Sequence, residues 1–169
     1  MPACLNARWA FTLGFLATLT LLGIAFYFQF KEGLEPCPLC ISQRLAVVLV
    51  GLVMGIAALH NPGPRGIRIY AMLANLASLL GASISARHLY IQHLPADQVP
   101  ACGPGLSYMF QYFPLGETLK AMVSGTGDCA HVDWTLLGFS MPFWVLLSFF
   151  ALAAWSLLQF WNLPRQKTS

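Results

Sequence analysis

A chain of 169 residues that is 57% hydrophobic and only 9% charged is not an ordinary soluble domain, where about 25% of residues are charged. Its formal net charge of +3 comes with no basic cluster and no dense stripe of Lys and Arg, which excludes a nucleic-acid surface. What remains is a membrane protein, expected as one domain over residues 1–169.

Four apolar segments follow one another: about Trp9 to Phe30, Ile41 to Leu59, Ile67 to Leu89 and Leu136 to Trp161. Each has the roughly 20 apolar residues that a spanning helix needs. A bilayer offers backbone groups no water, so the expected fold is all-α, a four-helix transmembrane bundle. The first segment is longer than the ~7–15-residue core of a signal peptide, and "KEGLEPCP" follows it instead of a small-residue cleavage site. It is read as a retained helix. Trp9, Trp134 and Trp161 stand near segment ends and suit an interfacial aromatic belt.

An up-and-down path puts Arg8, Arg65, Arg68, Arg165 and Lys167 on one side, and an excess of Lys and Arg marks the cytoplasm. Both termini are then expected to be cytoplasmic. The acids Glu32, Glu35, Asp97, Glu117, Asp128 and Asp133 fall on the outer side. So do Cys37, Cys40, Cys102 and Cys129, while Cys4 falls inside, where a small buried or interfacial role suffices. An oxidising outer compartment lets disulfides persist. Four cysteines allow three pairings, and sequence alone does not choose. The simplest has a local pair, Cys37–Cys40, and a long-range pair, Cys102–Cys129.

Small residues govern packing between helices in lipid. The second segment offers Gly51 and Gly55. The third offers Ala74, Ser78 and Ala82 on one stripe and Ala77, Gly81 and Ser85 on the next. The turn "HNPGPRG" between them predicts a tight antiparallel hairpin. In the long outer loop, about Tyr90 to Trp134, Leu115, Leu119, Met122 and Val123 recur at helical spacing. This predicts a short amphipathic helix on the membrane surface.

The stretch "EPCPLCISQR" carries the chemistry. A structural zinc site usually uses two Cys-x-x-Cys pairs, and Cys102 and Cys129 are 27 positions apart. A c-type haem site wants His after the second Cys, where Ile41 stands. His88 and His93, five positions apart, lie about 140° apart around a helix and do not make a b-haem pair. A structural disulfide across two residues closes little chain entropy. The leading reading is a redox-active dithiol. Cys40 sits at a helix N-terminus, with Arg44 one turn deeper, and both favour a thiolate. Arg44 snorkelling to the interface is the plain alternative. A thiolate at the mouth of a lipid-embedded helix can meet a lipid-soluble oxidant such as a quinone, whose oxygens gain charge on reduction and could be met by Arg44.

These residues carry a family resemblance. "CPLCISQR", the lone outer-loop Cys102 and "GDCAHVDWTLLGFSMPFW" from Gly127 to Trp144 resemble the DsbB family of bacterial inner-membrane disulfide-forming proteins. The resemblance spans all four helices and both outer loops. It implies a relay with a soluble periplasmic thioredoxin-fold oxidase, DsbA, as partner. The partner's thiolate attacks the Cys102–Cys129 disulfide at Cys102, freed Cys129 attacks Cys37, and Cys40 passes electrons to ubiquinone (or menaquinone) with help from Arg44. Gln43 stands where some members carry an acid, and His88 falls near the quinone region. His131 could stabilise a thiolate or simply face solvent. The competing expectations are a vitamin K epoxide reductase-like protein, whose Cys-x-x-Cys usually falls late in the bundle, and a non-catalytic scaffold braced by disulfides.

Overall fold

The computed structural model describes residues 7–33, 36–95, 97–103, 106–132 and 134–166. Cys4, Glu35, Asp133 and Lys167 lie outside the described residues, as does the side chain of Arg165. Four helices are long and apolar enough to cross a membrane: α1 (Ala7–Lys31), α2 (Pro38–His60), α3 (Pro64–Gln92) and α6 (Met141–Gln166). Between α3 and α6 come α4 (Leu106–Tyr112), α5 (Leu115–Ser124), a 3-10 turn (Gly127–Ala130) and a two-stranded hairpin of β1 (Thr135–Leu136) and β2 (Phe139–Ser140). The bundle and its amphipathic loop helix are those expected from the sequence. Leu115, Leu119 and Val123 form the exposed apolar face of α5, while Met122 and Thr118 turn inward.

One boundary differs. The fourth spanning helix begins at Met141, not Leu136. Leu137 and Gly138 both take positive φ (53° and 82°), the conformation of a tight hairpin turn, and Thr135 pairs with Ser140 across it. The apolar run "TLLGF" therefore folds back on itself, and α6 starts with Pro142 in its first turn, where a missing N–H costs nothing.

Neighbouring helices pack in the order α1, α2, α3, α6. Only three residues separate α2 from α3, and Asn61 closes α2 in the left-handed conformation with its N–H on the Ala57 carbonyl. The small residues sit where helices approach. A side chain at Gly51 would meet Thr18 of α1 and one at Gly55 the Phe15 ring, while one at Gly81 would overlap the Phe149 ring of α6. Asn75 adds a hydrogen bond to the Ala153 carbonyl at 3.0 Å. Between α1 and α6 the hydrogen bonds lie at one end among the described residues: Trp155 Nε1 and Gln159 Nε2 both donate to the Ala10 carbonyl, at 3.1 and 3.2 Å. Toward the other end, both helices line a shared cavity.

The loop between α3 and α6 is fastened over that other end. Ser42 of α2 donates to the Met122 carbonyl at 2.7 Å, Arg87 of α3 to the Ser124 carbonyl at 3.3 Å, and Ser140 to Gln92 at 2.7 Å. Gly125 (φ +80°) lies against Leu39 and Ile91 with no room for a side chain. Gly127 lets the Cys102 segment pass close. A Cβ there would stand 2.5 Å from the Pro100 carbonyl and 3.0 Å from the Cys102 sulfur, and its N–H bonds the Ala101 carbonyl at 3.2 Å.

Helix approach at Gly81 is testable by contrast with Gly23, whose missing side chain faces open space. Gly81→Val should lower stability in detergent by about 1–3 kcal/mol, the usual effect of overpacking. Gly23→Val should leave the thermal midpoint nearly unchanged.

Candidate active site

Helix α2 starts three residues earlier than its apolar run implies. Cys37 is its N-cap, with extended backbone (φ −65°, ψ 166°), and Pro38 occupies the first helical position. The Cys37 sulfur accepts the Cys40 N–H at 3.4 Å, satisfying one of the donors left open at a helix start. The two sulfurs are 3.2 Å apart. Both residues are half-buried, and Cys37, Cys40, Cys102 and Cys129 carry no disulfide in this structure.

Two further groups converge on Cys37. His88, near the end of α3, is only 3% exposed and brings Nε2 to 3.8 Å from the Cys37 sulfur. Cys129, fully buried in the 3-10 turn, packs with Leu39 and Ile91 in a small apolar cluster under the loop. The ligating atoms of Cys37, His88 and Cys129 all lie within 4.8 Å of one another. The 27 positions between Cys102 and Cys129 thus do not keep Cys129 from the Cys-x-x-Cys pair. Cys102 is exposed beside Gly127, two residues before Cys129. Cys129 therefore faces the helix mouth, while Cys102 faces the surface. The Cys129 thiol is held well above the usual thiol range, first by its hydrogen bond with the Cys37 sulfur and then by burial; backbone N–H groups of Leu39 and Thr126 oppose the shift.

Arg44 does not simply snorkel. It donates to the Gln29 side chain and, at 3.1 Å, to the Ala25 carbonyl, both on α1, and it lies 5.4 Å from the centre of the Phe26 ring. Gln29 is a functional neighbour that sequence reasoning missed; its signal was a lone amide in the apolar run "FYFQF". Gln43 is more than a neutral replacement for an acid. It is 4% exposed, and its side-chain nitrogen stands 3.3 Å from His88 Nδ1. His88 is accordingly buried against a sulfur, not solvated at an interface. His131 is exposed.

Cys37, Cys40, Gln43, Arg44 and His88 line a cavity of about 890 Å³. Most of the other lining is apolar or aromatic, such as Leu21, Leu22 and Phe28 of α1, Trp134, and Met141, Pro142, Trp144 and Phe149 of α6, with Gln29, Gln92, Asp128, His131 and Ser148 adding polar groups. Trp134 packs on Phe28 with ring centres 4.9 Å apart, so it is a wall of the site as well as an end-of-segment aromatic. A pocket of this kind, mostly apolar with a few converging polar groups, suits a small organic cofactor. The arrangement can exchange disulfides among three sulfurs and can present a guanidinium to an oxygen that gains charge.

A family model described as "Disulfide bond formation protein DsbB" matches residues 7–159. Similar curated proteins carry closely related names. A disulfide bond formation protein B of Methylococcus capsulatus is 62% identical, covering 95% of this chain and 98% of its own length. One from Nitrosococcus oceani is 52% identical over 92% of each chain. A disulfide bond formation protein B 1 of Pseudomonas aeruginosa is 44% identical over 92% of this chain and 95% of its own. With its cysteine cluster at one end of four membrane-spanning helices, the chain belongs to the DsbB family of disulfide bond formation proteins.

Proposed function

We propose that the protein oxidises a soluble periplasmic thioredoxin-fold oxidase of the DsbA type and passes the electron pair to a membrane quinone, ubiquinone or menaquinone. The observation that carries this reading is the shared cavity. The Cys-x-x-Cys pair and Arg44 line one apolar pocket, while Cys129 reaches the same pair from the loop side.

Exposed Cys102 is the sulfur that a soluble partner can reach. The partner's thiolate attacks Cys102, the Cys102–Cys129 bond breaks, and Cys129 is released. Cys129 then bonds to Cys37 and Cys40 leaves with the electron pair. The partner's second thiol frees Cys102 and departs as a disulfide. Cys102 recaptures Cys129, leaving Cys37 and Cys40 reduced. A quinone, when bound, takes two electrons and two protons, and the Cys37–Cys40 disulfide returns. Three residues of this chain serve that last step. Cys40 presents its sulfur to the cavity, Arg44 offers N–H donors left over from Gln29 and Ala25 to a quinone oxygen, and Trp134 keeps water off the wall.

The cationic residues Arg8 and Arg65 lie at the end of the bundle away from the cysteines. By the positive-inside tendency that end faces the cytoplasm, which puts the cysteines in the periplasm of a bacterium and the chain in the inner membrane.

Quinone reduction by the purified protein supplied with reduced partner tests the reading. Cys40→Ser should abolish quinone reduction while the bundle stays folded; a scaffold braced by disulfides would support disulfide formation unchanged. Arg44→Met should raise KM for quinone roughly 10- to 100-fold, the loss of about 1.5–3 kcal/mol expected for a charge-assisted hydrogen bond. In intact cells, a membrane-impermeant maleimide should label Cys102 of the reduced protein from outside. Labelling only after the cytoplasmic face is opened would reverse the orientation.

A further inference from the structure

Spacing along the chain argues against zinc only for ligands that are neighbours in sequence. Folding assembles a different set. Cys37 caps α2, His88 comes from α3 and Cys129 from the 3-10 turn, and their ligating atoms all lie within 4.8 Å of one another. Among the described residues no other three His, Cys, Asp or Glu side chains converge in this way. We propose that the reduced protein has a metal site here, with Cys37, Cys129 and His88 holding one zinc ion in place of two thiol protons.

Zinc stands about 2.3 Å from a thiolate and about 2.0–2.1 Å from an imidazole nitrogen, so tetrahedral neighbours are about 3.5–3.8 Å apart. The Cys37 sulfur and His88 Nε2 are 3.8 Å apart, and Cys129 is close enough to Cys37 to share a hydrogen bond with it. Charge fits as well as distance. Two thiolates and a neutral imidazole cancel the charge of the ion. His88 and Cys129 are buried, with Leu39 and Ile91 packed around the Cys129 sulfur, and a neutral complex avoids the penalty for net charge in such surroundings. Thiolate and imidazole together select zinc over magnesium or calcium. The cavity that Cys37 and His88 line has room for a water as fourth ligand, as in zinc sites with an open position. Gln43 turns its amide nitrogen to His88 Nδ1 at 3.3 Å, which leaves the ring proton on Nε2. To take the ion, the imidazole carries its proton on Nδ1 instead, and Gln43 turns its amide end for end so that its carbonyl accepts. A zinc-bound histidine uses an outer partner of this kind.

Binding involves no electron transfer. Two thiol protons leave to water, and two sulfur–zinc bonds and one nitrogen–zinc bond form. A sulfur held by the ion is not free to join a disulfide, so the site exists only while Cys37 and Cys129 are both reduced. Its consequence for turnover rests on the relay proposed above: the ion arrests the protein in its reduced form until a chelator removes it.

Equilibrium binding to the full chain, reduced and kept free of oxygen, tests the site without partner or quinone. Zn²⁺ is titrated against a coloured chelator, and Co²⁺ reports by the visible spectrum of a tetrahedral site with thiolate ligands. One ion per chain should bind the reduced protein, and none the protein with both disulfides formed. Cys129→Ser and His88→Ala should each weaken binding by more than the roughly 10–100-fold that loss of an outer partner causes, and Gln43→Leu should fall inside that range. Cys129→Ala and His88→Gln repeat the two losses with different packing, and the thermal midpoint of each metal-free variant shows that it is folded. Cys40→Ser should hold the ion more tightly than Cys129→Ser, because Cys40 stands outside the set. Binding that needs Cys40 but neither Cys129 nor His88 would be chelation by the Cys-x-x-Cys pair alone and would overturn the proposal, as would no binding by the folded, reduced protein. In a second experiment Zn²⁺ should slow quinone reduction and a chelator should restore it. If the metal-free protein reduces no quinone with reduced partner, the relay fails while the binding result stands.

Discussion

A sulfur that caps a helix is held as firmly as the helix is. Cys37 closes the start of α2 by accepting the Cys40 N–H, and the reactive end of the molecule is arranged around that one contact. It sets the two sulfurs of the Cys-x-x-Cys pair 3.2 Å apart without help from the loop. It also presents the Cys37 sulfur outward, where His88 of α3 and Cys129 of the 3-10 turn can reach it. Proline at the first helical position supports the arrangement, since it is pre-shaped for the turn and has no N–H to compete for the cap. Thiol exchange is geometrically demanding, and here the Cys37 sulfur is positioned by backbone structure.

The second requirement is that one small site serve two different solvents. The loop side exposes Cys102 at the surface, while the cavity side is mainly apolar and borders α1 and α6. Gly125 and Gly127 make the junction possible. Each lies where a side chain would strike a neighbouring segment, so the loop can press onto Leu39 and Ile91 and carry Cys129 inward. Substituting a larger residue at either position would push back the segment that carries Cys129. These glycines are points of close approach.

Much of the fold was legible because it depends on length and composition alone. Three of the four spanning helices lie within about three residues of their apolar runs, and the small-residue stripes of the third segment are buried as expected. The fourth began too early because "TLLGF" is as apolar as a helix, and only the positive φ of Leu137 and Gly138 reveals a hairpin. The cysteines were legible as a set. Their grouping was not, since whether Cys129 faces Cys102 or Cys37 depends on how a loop of some forty residues folds back over the bundle. Arg44 could be placed beside Cys40 by helical spacing, but its Gln29 and Ala25 partners depend on how α1 is rotated against α2. The same holds for His88. A spacing rule places it on α3 but does not say that the adjacent face of α2 offers it an amide.

One feature far from the chemistry shapes how the cavity behaves. Trp155 and Gln159 fasten α6 to α1 through a single carbonyl, that of Ala10, and no other hydrogen bond joins those two helices among the described residues. The pair is therefore built like tongs, pinned at the grip and loose at the jaws. Bending two long levers through a small angle would widen the cavity between them with no hydrogen bond at that end to break among the described residues. The displacement is largest beside the cavity and vanishes at the pin, so the pocket can breathe while the far end of the bundle holds still.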